Sequence, residues 1–160
     1  MQERTYKTDK ELGDELELSV LNKVIIPLYP KAFLTEIKCP EYDIWIPELS
    51  SGVEVKYDLG ARKTENLFIE FEHNNKPSGI EVTDSDLWLH YDGTWLFFFT
   101  PNKMKQMIRY ETPYITSNRH DRNSNVLTKG YLVDKEICEN NSQLGATHAG
   151  ECVQTPSKFT

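Results

Sequence analysis

The chain predicts an α/β fold, a mixed β-sheet flanked by helices. Three observations carry this expectation. The chain opens with a stretch of helical period, period-two alternation then recurs in short segments between turn residues, and Trp95–Phe99 is a near-continuous apolar run. The resulting order, α-β-β-β-β-α-β-α, fits a layered sheet better than a barrel or a bundle.

Residues 9–28 form the first element. Leu12, Leu16, Val20, Leu21, Val24 and Ile25 recur at helical spacing, Thr8 or Asp9 caps the start, and Pro27 and Pro30 close it. Residues 32–38 alternate as a strand until Cys39-Pro40 breaks the pattern. Tyr42–Ile46 makes the next strand and ends at Pro47, and Ser50-Ser51-Gly52 supplies the turn into Val53–Tyr57. After a polar link over residues 58–65 comes a strand over 67–72, and residues 74–79 read as a loop. Thr83-Asp84-Ser85 resembles a capped helix start, so a short helix carrying Trp88 is expected as far as Tyr91. Asp92-Gly93 turns the chain into the apolar run, whose composition suits a strand buried on both faces. Pro101, Met104, Met107 and Ile108 mark one more helix. Beyond Tyr110 the pattern weakens, with a last strand expected over 130–133. Residues 1–138 therefore read as one domain and 139–160 as a polar, flexible tail.

Composition narrows the function. With 160 residues, 38% of them hydrophobic, the chain can bury one core. No apolar run approaches the roughly 18 residues a membrane span needs, and the N-terminal residues lack a signal-peptide pattern. Cys39, Cys138 and Cys152 have no metal-ligand spacing and read as reduced thiols, which places the protein in a cytoplasm. The net charge of −7 argues against a generic nucleic-acid binder. It is unevenly spread, however: residues 1–60 hold 7 Lys/Arg against 12 Asp/Glu, whereas residues 101–130 hold 6 against 2.

The most informative side chains are Asp43, Glu54 and Lys56. Alternation directs Val53 and Val55 to one face and Glu54 and Lys56 to the other, and the same logic separates Asp43 and Trp45 from Ile44 and Ile46. Pairing the two strands lets the three charged groups converge. Two carboxylates about 4 Å apart repel by roughly 4 kcal/mol at an effective dielectric near 20, so such a pair calls for a proton or a cation. Carboxylate oxygens with spare water positions suit Mg²⁺ or Mn²⁺, and a lysine beside them can orient a water and stabilise charge on a phosphate. The four histidines have no metal spacing, and Arg119-His120-Asp121-Arg122 reads as a polar loop.

Asp43 followed by Glu54-Val55-Lys56 resembles the two-part motif of the PD-(D/E)xK nuclease superfamily, whose members include archaeal Holliday-junction resolvases. The motif's proline does not directly precede the acid here, since the local string is Pro40-Glu41-Tyr42-Asp43. The string from Lys63 to Glu72, then Lys76–Ile80 and Trp88, is also similar to small nuclease-like proteins of tailed bacteriophages. The resemblance implies a restriction-endonuclease-like αβββαβ core over residues 9–100. It implies a Mg²⁺- or Mn²⁺-dependent nuclease acting on DNA, with Asp43 and Glu54 as metal ligands and Lys56 orienting the attacking water. Superfamily members often add an acid from the first helix. Glu15 and Glu17 are the candidates, and Glu17 is preferred because it borders the apolar stripe and follows Gly13 at the expected spacing. Glu70 could join the shell if its strand adjoins that of Glu54. Lys63, Asn66 and Lys76 could hold DNA, although surface solubility explains them equally well. Some relatives are homodimers, but no dimer surface is legible in this chain. The alternative is a non-catalytic nucleic-acid-binding or protein-interaction module retaining the fold.

Overall fold

A computed structural model describes residues 9–35, 42–119, 127–142 and 147–148. The described residues form a mixed α/β structure with four α-helices and ten strands in two sheets. Pro40 and Glu41 of the motif region, Cys39, Cys152, His120, Asp121, Arg122, the Thr8 cap and tail residues 143–146 and 149–160 lie outside the described residues.

Helix α1 (Asp9–Val20) runs on into a wider π turn over Leu21–Ile25, so the expected first helix is present in two parts. Its stripe, Leu16, Val20, Leu21 and Ile25, packs on one face of the first sheet against Ile44, Val53, Val55, Leu87, Leu89 and Phe98. That sheet contains β1 (Phe33–Leu34), β2 (Ile44–Ile46), β3 (Ser51–Tyr57), β6 (Leu87–Tyr91), β7 (Trp95–Phe99) and β10 (Thr147–His148), in that spatial order. β1, β2 and β3 form an antiparallel meander, β6 lies parallel to β3, and β7 pairs antiparallel with β6.

The second sheet has the order β5-β4-β9-β8, formed by β4 (Asn66–His73), β5 (Lys76–Pro77), β8 (Tyr114–Arg119) and β9 (Leu127–Asp134). A second core joins Leu67, Ile69 and Val133 of this sheet to Trp88, Phe97 and Phe99 of the first. Met104 and Met107 of α3 (Pro101–Glu111) and Cys138 of α4 (Lys135–Asn141) complete it. The apolar run of β7 is thus split between the two cores, Leu96 and Phe98 in one and Phe97 and Phe99 in the other, as expected of a strand buried on both faces.

Several expectations are corrected. Residues 83–91 contain no α-helix: Thr83 Oγ1 accepts hydrogen bonds from Ser85 N and Trp88 Nε1, and Leu87–Tyr91 is the strand beside β3. The crossover between parallel β3 and β6 consists of the short helix α2 (Ala61–Thr64), the β4–β5 hairpin and a 3₁₀ turn over Gly79–Glu81. Residues 58–65 therefore include a helix, and residues 74–79 include a strand after a tight turn in which Asn74 and Asn75 both have positive φ. β8 follows Tyr110, where no element was expected. The boundary drawn at Glu139 falls inside α4, and Thr147–His148 pairs with Trp95 and Leu96. No described helix is long and apolar enough to cross a membrane.

Candidate functional site

The β2–β3 hairpin places the acids. Gly52 is required there because the Tyr42 ring lies where its Cβ would stand, and Gly52 N–H donates to Asp86 Oδ2 at 2.9 Å. Asp43 sits just before β2. Its backbone N–H donates to Val53 O at 2.9 Å, and its carboxylate Oδ2 accepts from Val55 N–H at 2.7 Å. The side chain thus takes over a backbone partner at the point where the β2–β3 ladder ends. On β3, Val53 and Val55 face the core beneath α1, while Glu54 and Lys56 pair as an ion pair on the other side. The expected alternation is what the structure shows.

Electrostatics tie Glu17 to this pair. Burial, together with the Asp43, Asp14 and Glu54 carboxylates, pushes the Glu17 carboxyl up to about 7. Burial and then Glu54 push Asp43 up to about 6, against the opposing pull of the Val55 hydrogen bond and of Lys56. Glu17 on the helix therefore feels the charge of both strand acids. Glu17, Asp43 and Glu54 thus lie within electrostatic reach of one another, with Lys56 as the counter-charge of the strand acids.

Lys56 bridges this patch and a second feature. Burial lowers its pKa, but Glu54, Asp43 and Glu70 outweigh that effect and raise it. Its Nζ also stands 5.5 Å from the centroid of the Trp88 ring. Trp88 stacks on His90, which is 1% exposed and has no described hydrogen-bond partner at either ring nitrogen. Burial and the Lys56 charge drive His90 down to about 3, so it is a neutral imidazole beside the lysine.

A cleft of about 210 Å³ opens beside Lys56, walled by Tyr57, Asp58, Phe68, Glu70 and Trp88. Glu70 reaches it from the second sheet: β3 is flanked by β2 and β6, so the supposed adjacency of the Glu54 and Glu70 strands is not observed. Glu70 lines the same cleft as Lys56, whose pKa it helps to raise, and accepts a hydrogen bond from Ser78 Oγ at 2.6 Å. The three candidate DNA contacts lie elsewhere and are not drawn together. Lys63 is exposed on α2, Lys76 is exposed on β5, and Asn66 Nδ2 donates to Thr64 O at 2.6 Å in the turn after α2.

Trp88 is the cleft-lining residue that sequence reasoning misplaced. Alternation in Leu87-Trp88-Leu89-His90 was the available signal for Trp88, and it was overridden by the apparent helix cap. Among the described residues no group of three or more His, Cys, Asp and Glu side chains forms a ready metal cage. A hydrated Mg²⁺ does not need one, since it is commonly held by one or two carboxylates plus water and phosphate. Asp43 commits Oδ2 to Val55, and Glu54 commits Oε1 to Lys56. Two carboxylates are the kind of donor such an ion takes.

No protein-family model, curated protein or solved structure matches the chain.

Proposed function

We propose that the chain is a metal-dependent nuclease of the PD-(D/E)xK type that hydrolyses DNA phosphodiester bonds. The observation that supports this reading is the electrostatic coupling of Glu17, Asp43 and Glu54, with two carboxyl pKa values raised, together with the Glu54–Lys56 ion pair beside an open cleft. Clustered like charges of this kind are tolerated where a cation completes the site. The antiparallel meander β1-β2-β3, the parallel strand β6 and the packed helix α1 are elements that an αβββαβ core would use, and they support the reading. Its second helix is the departure, since the crossover here is built from α2 and a hairpin.

In this reading Asp43 and Glu54 hold Mg²⁺ or Mn²⁺, which supplies an activated water and charge neutralisation at the phosphate. Val55 N–H fixes the rotamer of Asp43, so its second oxygen is presented without reorganisation. Glu17 accepts the proton of a water lying between helix and strand, a role suited to a carboxyl whose pKa stands near neutrality. Lys56 moves from its Glu54 partner to the phosphate oxygens as negative charge develops there. The basic side chains of residues 101–130 remain candidates for backbone contact.

The test is cleavage of single-stranded, duplex and branched DNA by the purified chain, with and without divalent cation. Divalent-dependent cleavage lost in Asp43→Ala and Lys56→Ala, with the thermal midpoint retained, is the expected result. Salt-sensitive DNA binding that ignores both EDTA and Asp43→Ala would instead mark a non-catalytic binding module. No reaction on any DNA would remove the proposal.

A further inference from the structure

The cleft beside Lys56 has a built acceptor on its wall. β4 carries a β-bulge between Glu70 and Glu72, a device that re-aims the neighbouring side chain. Ser78 Oγ then fixes the Glu70 carboxylate at 2.6 Å, and Ser78 N–H donates to the Phe71 carbonyl at 3.0 Å. Gly79, at φ +51°, is needed next because the Glu70 backbone occupies the position its Cβ would take. Beside Glu70, the Phe68 ring is seated on Gly130, where a Cβ would approach within 2.5 Å of the ring. An oriented carboxylate, an aromatic wall and the Lys56 ammonium thus border one small space.

That space selects its occupant. About 210 Å³ is below the roughly 300 Å³ at which pockets for drug-sized ligands begin, so it admits one ring system and not a whole nucleotide. An ionised carboxylate only accepts hydrogen bonds, and it accepts best from two adjacent N–H groups. Among the bases, guanine offers that pair in N1–H and the N2 amino group, with O6 beside them for an ammonium. Thymine would set two carbonyl oxygens against the carboxylate. In a duplex this edge of guanine is already paired, so the base must be unstacked to be read.

We propose that the cleft binds an unpaired guanine of the DNA substrate, with Glu70 as the specificity-determining acceptor, Phe68 as a contact surface and Lys56 linking the base to the adjacent phosphate site. This inference rests on the nuclease reading, and it predicts preference for single-stranded segments containing guanine.

The test uses the wild-type full chain in EDTA, where metal-dependent cleavage is silent. Fluorescence anisotropy would compare labelled oligothymidylates holding one internal guanine, inosine or thymine. Guanine should tighten binding about tenfold, the lower range for a bidentate base contact. Inosine, lacking the N2 amino group, should lose most of that gain, and annealing a complementary strand should abolish it. Glu70→Gln should erase the guanine preference while binding of plain oligothymidylate persists, and Ser78→Ala, which only loosens Glu70, should reduce it. Equal affinity for guanine and thymine strands overturns this inference, and divalent-dependent cleavage by the same protein would show that the nuclease reading survives it. Failure to bind any DNA in EDTA overturns this inference, and the nuclease reading falls with it only if cleavage with divalent cation is also absent.

Discussion

The Asp43 carboxylate accepts a hydrogen bond from the backbone N–H of Val55, the residue between Glu54 and Lys56, at 2.7 Å. One bond therefore sets the position of the first acid relative to the second acid and the lysine. It also explains how ten intervening residues can deliver a compact site: register in the hairpin and a single side-chain contact suffice. The Asp43 carboxyl is also electrostatically coupled to Glu54 and Glu17.

That coupling has a pH signature. Asp43 and Glu17 stand at about 6 and about 7 in the folded chain, against ordinary values of 3.8 and 4.5. Between those limits the native state binds more protons than the unfolded state, so their contribution to stability falls as pH rises from about 4 to about 7. Asp43→Asn keeps an oxygen for Val55 and removes one charge. It should be more stable than wild type near pH 8 by roughly 1–2 kcal/mol, with the gap closing as pH falls through about 6 towards 4. Urea unfolding across pH measures this, and a gap that does not change with pH would contradict it.

Lys56 holds Asp43 down as well as pairing with Glu54. Lys56→Met should therefore raise the Asp43 carboxyl above about 6, readable by carbon NMR of the labelled side chain. In the same variant cleavage should fall by roughly 10²–10³, the usual effect of removing one group that stabilises transition-state charge. An unmoved Asp43 titration would show that the two groups are not coupled.

Asp92 and Lys135 form a buried pair that supports the β6–β7 turn beside the second core. Asp92, 1% exposed, accepts from Thr94 and Trp95 N–H through Oδ1 and meets Lys135 Nζ at 2.7 Å through Oδ2. Burial raises the Asp92 pKa, but the Lys135 bond and the two N–H donors outweigh it and hold the carboxyl below its usual range. Its stabilisation is present above about pH 4 and fades as pH falls through the lowered value. Lys135→Met leaves the acid unpaired in the interior and should cost roughly 3 kcal/mol near neutral pH by urea unfolding. A change below a few tenths of that would mean the backbone donors alone hold the charge.

Gly130 is a packing glycine. A Cβ there would meet the Phe68 ring at 2.5 Å and the Ile69 carbonyl at 2.9 Å. Gly130→Ala should lower stability by roughly 1–3 kcal/mol, as overpacking does, and displace Phe68 from the cleft wall. An unchanged thermal midpoint would show that the ring yields freely.

Local pattern made much of this structure legible, and its failures share a cause. The α1 stripe, the Glu54/Lys56 face and the doubly buried Leu96–Phe99 run were readable because each pattern is written in consecutive residues. Leu87–Tyr91 was misread because Thr83 and Ser85 look like a helix cap, while the parallel pairing with β3 that makes it a strand is a non-local contact. β8 was missed because it is an edge strand, and Tyr114 and Ile115 are exposed, so no buried face marks it. That β4 belongs to a second sheet, placing Glu70 in the cleft that Lys56 also lines, depends on pairing with β9 some sixty residues away. Glu17 was legible through its position beside the stripe, although the Gly13 spacing has no packing reason, since a Cβ there meets nothing.

The most direct test of the account is a crystal soaked in Mn²⁺ and measured for anomalous scattering. A peak within coordinating distance of both the Asp43 and Glu54 carboxylates, lost in Asp43→Ala, is the predicted result. Crystals that take up Mn²⁺ only elsewhere, with Asp43 and Glu54 still bound to Val55 and Lys56 alone, would contradict it.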